Sequence, residues 1–140
     1  MINQLLIALA AGCVGAIGVN ALNLIFGFLN IPPMIGIDLS PDLNLIDLLS
    51  DLFWGSCWGL LFLMPVLSSL PIVKGLIIGI FSFLFQLFIA FSYLHLLPLG
   101  QTVTLYSPVL LLLYLLFLNL VWGVIAGYTW KAFKDGLTIV

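Results

Sequence analysis

Asp51-Leu-Phe-Trp-Gly-Ser-Cys-Trp-Gly-Leu-Leu-Phe62 begins with a carboxylate and runs straight into hydrocarbon. Its two Trp–Gly pairs, Trp54-Gly55 and Trp58-Gly59, stand four residues apart, so on a helix they stack one above the other. A shorter echo, Trp122-Gly-Val-Ile-Ala-Gly127, lies near the other end of the chain, and both copies read W-G-x-x-x-G. Glycines at that spacing let two helix backbones approach closely, which is how helices hold together where lipid supplies no hydrophobic drive between them. The stretch therefore reads as a packing seam in a membrane helix.

Composition agrees. The chain has 140 residues, 64% hydrophobic and 6% charged, whereas a soluble domain carries about 25% charged residues. Three lysines and five aspartates cannot build a water-facing surface. A helical span needs about 20 apolar residues, so the length allows four spans with short connections and no separate soluble domain. A net charge of −2 argues against a nucleic-acid binder, which needs a basic face. Cys13 and Cys57 both lie within apolar runs, which suits packing thiols rather than a disulfide framework.

Working outward, the predicted fold class is an all-α integral membrane protein in a single domain. Its spans lie at about 4–29, 50–67, 72–97 and 107–132. Leu9-Ala-Ala-Gly-Cys13 resembles a lipoprotein cleavage site, but Met1-Ile-Asn-Gln4 lacks the positive residues of a signal peptide, so the first run is expected to stay as a helix. Ala8, Gly12, Ala16 and Asn20 form a small-residue stripe along it. Pro32, Pro33, Gly36 and Pro41 make the next segment a loop. Ser40-Pro41-Asp42 then offers a cap, a proline at the first helical position and a carboxylate at the positive dipole end. Asn44, Asp47 and Asp51 fall near one face, which predicts an interfacial amphipathic lead-in before the second span. Pro65 bends or ends that span, and Ser68-Ser-Leu-Pro-Ile-Val-Lys74 is a tight connection. Tyr128 and Trp130 read as an interfacial aromatic belt. The two W-G-x-x-x-G copies raise duplication of a hairpin, but they sit at different depths and the first and third spans show no matching pattern, which weighs against it.

With four crossings, Lys74, Lys131 and Lys134 share one side, and Asp38, Asp42, Asp47 and Asp51 with His95 share the other. The positive-inside rule then places both termini in the cytoplasm.

From about Leu49 onward the chain resembles a family of small, uncharacterised bacterial inner-membrane proteins. The residues that carry the resemblance are Trp54 to Phe62, Leu70-Pro71, Ser82-Phe-Leu-Phe-Gln-Leu-Phe88 and Asn119-Leu-Val-Trp-Gly-Val-Ile-Ala-Gly127, over roughly two-thirds of the chain. The resemblance implies four helices in a bacterial inner (or thylakoid-type) membrane and no particular activity.

The candidate residues divide by chemistry. Gly12, Ala16, Trp54, Gly55, Trp58, Gly59, Trp122, Gly123 and Gly127 are seam residues, serving either packing within the chain or docking of another protein or a second copy. Asn20, Asn23, Gln86 and Asn119 are intramembrane amides that must find partners, with Gln86 to Asn119 expected across the third and fourth spans. Asp42, Asp47 and Asp51 are read as a solvated interfacial face rather than a cation or acid–base site. A lone His95 is a poor haem or pigment ligand. No catalytic set, metal site or cofactor is expected, only bound lipid. The leading functional expectation is a non-enzymatic accessory or stabilising subunit of a larger membrane complex, or a homo-oligomer. It rests on the small-residue seams, the missing extramembrane domain and an expected lack of charge within the spans. The alternative is a small transporter or channel with a polar path near Gln86 and Asn119 and an acidic mouth at Asp47 and Asp51.

Overall fold

The computed structural model describes residues 2–37, 45–90 and 108–137. Every regular element among them is helical. Helix α1 (Ile2–Phe28) is an apolar run without proline. It stops where Asn30 takes a left-handed backbone, φ 55°, a conformation asparagine tolerates better than most residues. The expected loop then contains a one-turn helix, α2 (Ile31–Met34), with prolines in its first turn and Pro32 buried. Helix α3 (Leu45–Gly59) tightens into a 3₁₀ turn at Leu60–Leu63. Met64 leaves the helix in an extended conformation, ψ 138°, because Pro65 excludes the helical region for the residue before it. Helix α4 (Pro71–Phe85) opens on a proline and continues as a π-turn over Gln86–Ala90. Helix α5 (Pro108–Leu137) is the longest, 30 residues, about 45 Å at 1.5 Å per residue.

Four helical segments are long and apolar enough to cross a membrane: Asn3–Phe28, Leu45–Leu63, Pro71–Phe88 and Val109–Gly136. The protein is thus an all-α, multi-pass membrane protein. Two boundaries differ from the sequence reading in a way that matters. Among the described residues the second apolar helix runs from Leu45 to Leu63, so Asp51 lies within its second turn, on the same helix as the Trp–Gly pairs. The turns read as an interfacial lead-in after residue 44 are part of that spanning helix. The basic tail at Lys131 and Lys134 continues α5.

The helices pack in the order α3, α1, α5, α4, with α1 and α5 at the centre. One end of the bundle gathers the start of α1, the 3₁₀ turn, the first turn of α4 and the end of α5. There Phe62 stacks on Trp130 at 5.7 Å, within a core of Ala8, Ala11, Ile78, Trp122 and Ala126. A second core at the other end joins Ile37 to Leu111, Tyr114, Leu115 and Leu118. Backbones of α3 and α4 scarcely approach each other. Aromatic side chains bridge them instead, with Phe85 ring centroids 5.8 Å from Trp54 and 5.4 Å from Trp58.

Candidate functional site

Both glycine seams are filled by the chain's own helices. A Cβ built on Gly12 would lie 2.9 Å from the Gly55 carbonyl carbon and 2.9 Å from Gly59 Cα, and one built on Gly55 would meet Ala16 Cβ at 2.8 Å. At the other seam a Cβ on Gly123 would lie 2.7 Å from the Gly75 carbonyl carbon, and one on Gly127 would lie 2.6 Å from Pro71 O. Backbone meets backbone, so no side chain can yield. The α4 half of this second seam is Gly75-x-x-x-Gly79, a pattern present in the sequence but unremarked in its reading, which gave the third span no matching pattern. Trp122 closes the two seams on each other, its indole Nε1 donating to Gly12 O at 3.0 Å. The tryptophans of the two motifs are not equivalent: Trp122 is buried, while Trp54 is 43% exposed on the outer side of α3.

Toward the end of the bundle away from the lysines, polar side chains pair across helices. Asn20 Nδ2 donates to Asp51 Oδ2 at 3.2 Å and to Ala16 O at 3.0 Å. Asn119 Nδ2 donates to Gln86 Oε1 at 3.1 Å and to Leu115 O at 2.8 Å. Tyr114 donates its hydroxyl to Asn23 Oδ1, a pair no local signal announces because 91 residues separate its members. Each amide thus has a partner, as hydrocarbon surroundings demand. The π-turn at Gln86 lies beside one of these pairs, and such turns recur at functional positions in helices.

Two of the helices apolar enough to cross a membrane carry a charged side chain that packs against a neighbouring element. Asp51 is one, half-buried against Asn20. Lys74 is the other: it lies in the first turn of α4, 6% exposed, and its Nζ donates to Phe62 O at 2.9 Å and to Met64 O. The cause is local. The 3₁₀ partner of Phe62 O would be residue 65, which is a proline and has no N–H. The lysine supplies the missing donor at the negative end of the preceding helix.

Aligning the hairpins on their Trp–Gly pairs extends the repeat by one polar position. Asp51-x-x-Trp54-Gly55-x-x-x-Gly59 matches Asn119-x-x-Trp122-Gly123-x-x-x-Gly127. In both hairpins that polar residue bonds to an amide on the preceding helix of its hairpin, Asn20 for Asp51 and Gln86 for Asn119. The direction is swapped, since Asp51 accepts where Asn119 donates.

Asp47 lies half-buried one turn before Asp51, on the same helix. The remaining candidates, Asp42 and His95, lie outside the described residues, as do Ser40 and Pro41. Among the described residues no three potential metal ligands gather. Comparison of the chain with protein-family models, with curated proteins and with solved structures gave no match.

Proposed function

We propose that the protein is a small membrane carrier that moves a cationic species by way of the Asp51–Asn20 pair. In this reading it resides in a bacterial inner (or thylakoid-type) membrane with both termini on the cytoplasmic side, the side to which Lys74, Lys131 and Lys134 belong. One observation carries the reading. At the position equivalent to Asp51 the second hairpin uses the neutral amide of Asn119 and still makes its interhelical bond. Packing therefore does not call for a carboxylate. An ionisable group within a span is costlier than an amide and commonly serves transport or proton relay. The first hairpin bears that cost with no described lysine near, since all three stand at the opposite end.

A carrier fits better than an open channel. Beyond Asp51 the seam is shut by Gly12, Gly55, Gly59 and Trp122 in mutual contact, so no continuous polar path runs past it between α1 and α3. Flux into liposomes holding the purified chain, against an Asp51→Asn variant of matched thermal stability, tests the proposal. Equal flux in the two proteins would refute it.

The accessory-subunit or homo-oligomer reading keeps one supporting observation. Leu45, Leu49 and Phe53 form an exposed apolar stripe at steps of four on α3. Only 17% of the apolar window of α3 is buried, against 44% for α5. A strictly monomeric species on native gels after gentle solubilisation would remove it.

A further inference from the structure

We infer that the species Asp51 takes up is a proton and not a metal cation. The inference rests on the carrier reading and names its substrate. It follows from which atoms face the carboxylate.

The Asn20 side chain presents its –NH₂ group to Asp51. One hydrogen goes to Asp51 Oδ2 and the other to Ala16 O on its own helix. A cation placed at Oδ2 would face the positive end of that amide. Hard cations also require about six oxygen ligands. Around Asp51 the backbone carbonyls belong to a continuous helix, and no third ligating side chain joins Asp51 and Asp47 among the described residues. A proton asks for far less: one carboxylate oxygen, Oδ1, which carries no hydrogen bond among the described residues, while Oδ2 keeps its bond to Asn20.

The charged surroundings favour the same species. On α3 the other titratable groups are Asp47, one turn nearer the helix start, and the Cys57 thiol, six residues farther along. Helix α1 offers the neutral Asn20. The charged groups of α4 and α5, namely Lys74, Lys131, Lys134 and Asp135, stand at the far end of the bundle. Among the described residues no lysine stands near this carboxylate, and Asp47 stands between Asp51 and the helix start. In the step itself a hydronium ion gives its proton to the Asp51 carboxylate, leaving water and a neutral carboxylic acid. Neutralising the group removes the desolvation penalty that holds a charge back from hydrocarbon, so only the loaded form changes sides cheaply.

The experiment uses the purified full chain in liposomes that contain a pH-sensitive dye. A pH gradient is imposed, with the membrane potential clamped by potassium and valinomycin. Expected is proton flux of equal rate in sodium and in N-methylglucamine media, at least tenfold lower in Asp51→Asn and largely kept in Asp51→Glu. Thermal melting of each variant in detergent separates loss of flux from loss of fold. Sodium or potassium uptake that depends on Asp51 without a pH change would overturn the proton while leaving the carrier reading intact. Absence of any flux above protein-free liposomes, for protons and alkali cations alike, would overturn both.

Discussion

Replacing Gly12 by alanine adds one methyl group to the tightest place in the first hairpin, and its effect can be worked from distances. The new Cβ falls 2.9 Å from the Gly55 carbonyl carbon and 2.9 Å from Gly59 Cα. Carbon pairs are most stable at about 3.5–4.0 Å, so these two contacts alone require α1 and α3 to part by roughly 0.6–1.1 Å, and the closer overlap with Gly55 O requires more. A gap of that order forfeits about a quarter to a half of each contact's attraction along the seam. Overpacking of this kind costs about 1–3 kcal/mol, and the upper part of the range applies because the opposed atoms are backbone. Alanine returns about 1 kcal/mol through its better helix propensity. The net is a loss of about 2 kcal/mol. Gly136→Ala is the internal control: it is also helical, but nothing lies within 4 Å of its added Cβ. There only the propensity term acts, and the change is a gain of up to about 1 kcal/mol. Reversible unfolding in mixed micelles, read by circular dichroism, measures both. The two substitutions must move stability in opposite directions. A Gly12→Ala protein as stable as the wild type would mean that the α1–α3 contact is not as close as described.

Three further outcomes follow from other contacts. Lys74→Met keeps the length of the side chain but leaves Phe62 O and Met64 O without their donor. Leaving buried carbonyls unpaired costs about 1–3 kcal/mol each, part of it offset because a lysine no longer has to be desolvated, so a net loss of about 2 kcal/mol is expected in the same unfolding assay. Asn119→Leu strands the Gln86 side chain, and interhelical bonds of this type contribute about 0.6 kcal/mol, up to roughly 1.7. The double variant with Gln86→Leu should recover part of that loss, because both partners are then apolar. Leu67 holds a left-handed backbone, φ 54°, which costs a side-chain-bearing residue about 1–2 kcal/mol. Leu67→Gly should raise the melting temperature, and a fall would show that the leucine's packing outweighs its strain.

The class of fold was legible because composition alone rules out a water-facing surface, and the stripe Ala8-x-x-x-Gly12-x-x-x-Ala16 announced one side of the first seam. The pairing of Gln86 with Asn119 was legible as well, since two amides at similar depth in hydrocarbon have few other partners. Lys74 was not. Its position just after Leu70-Pro71 reads as a loop cation, and its burial depends on a carbonyl at Phe62 that Pro65 deprives of its donor. That requires knowing that α3 tightens into a 3₁₀ turn. Trp122 to Gly12 and Tyr114 to Asn23 join residues 110 and 91 positions apart, and no periodicity reports which helices will be neighbours. The pairing of Asp51 with Asn20 was missed for a simpler reason. Charge was taken to mark the start of the apolar helix, whereas α3 already includes Leu45 and Asp47 ahead of the carboxylate.

The two hairpins therefore use one plan with two inequivalent outcomes. In each, a helix of small residues meets a Trp–Gly helix, and a polar pair crosses on the same side of the seam. Trp122, however, turns inward and ties the second hairpin to Gly12 of the first, while Trp54 turns outward to Phe85. The second hairpin is thereby locked into the bundle through α5, which holds both cores. The first hairpin has a loosely held flank: α3 touches α4 through aromatic rings and through the Lys74 bonds at one end. The carboxylate lies on this flank and the neutral amide lies in the locked hairpin. That division is what a carrier needs, because the helix bearing the charge is the one whose movement breaks the fewest backbone contacts. If α3 is the moving element, a cysteine pair placed at Trp58 and Phe85 and joined by a bifunctional reagent long enough to span the two backbones should halt the transport that the same pair supports before cross-linking. Transport that continues through the cross-link would place the movement elsewhere in the bundle.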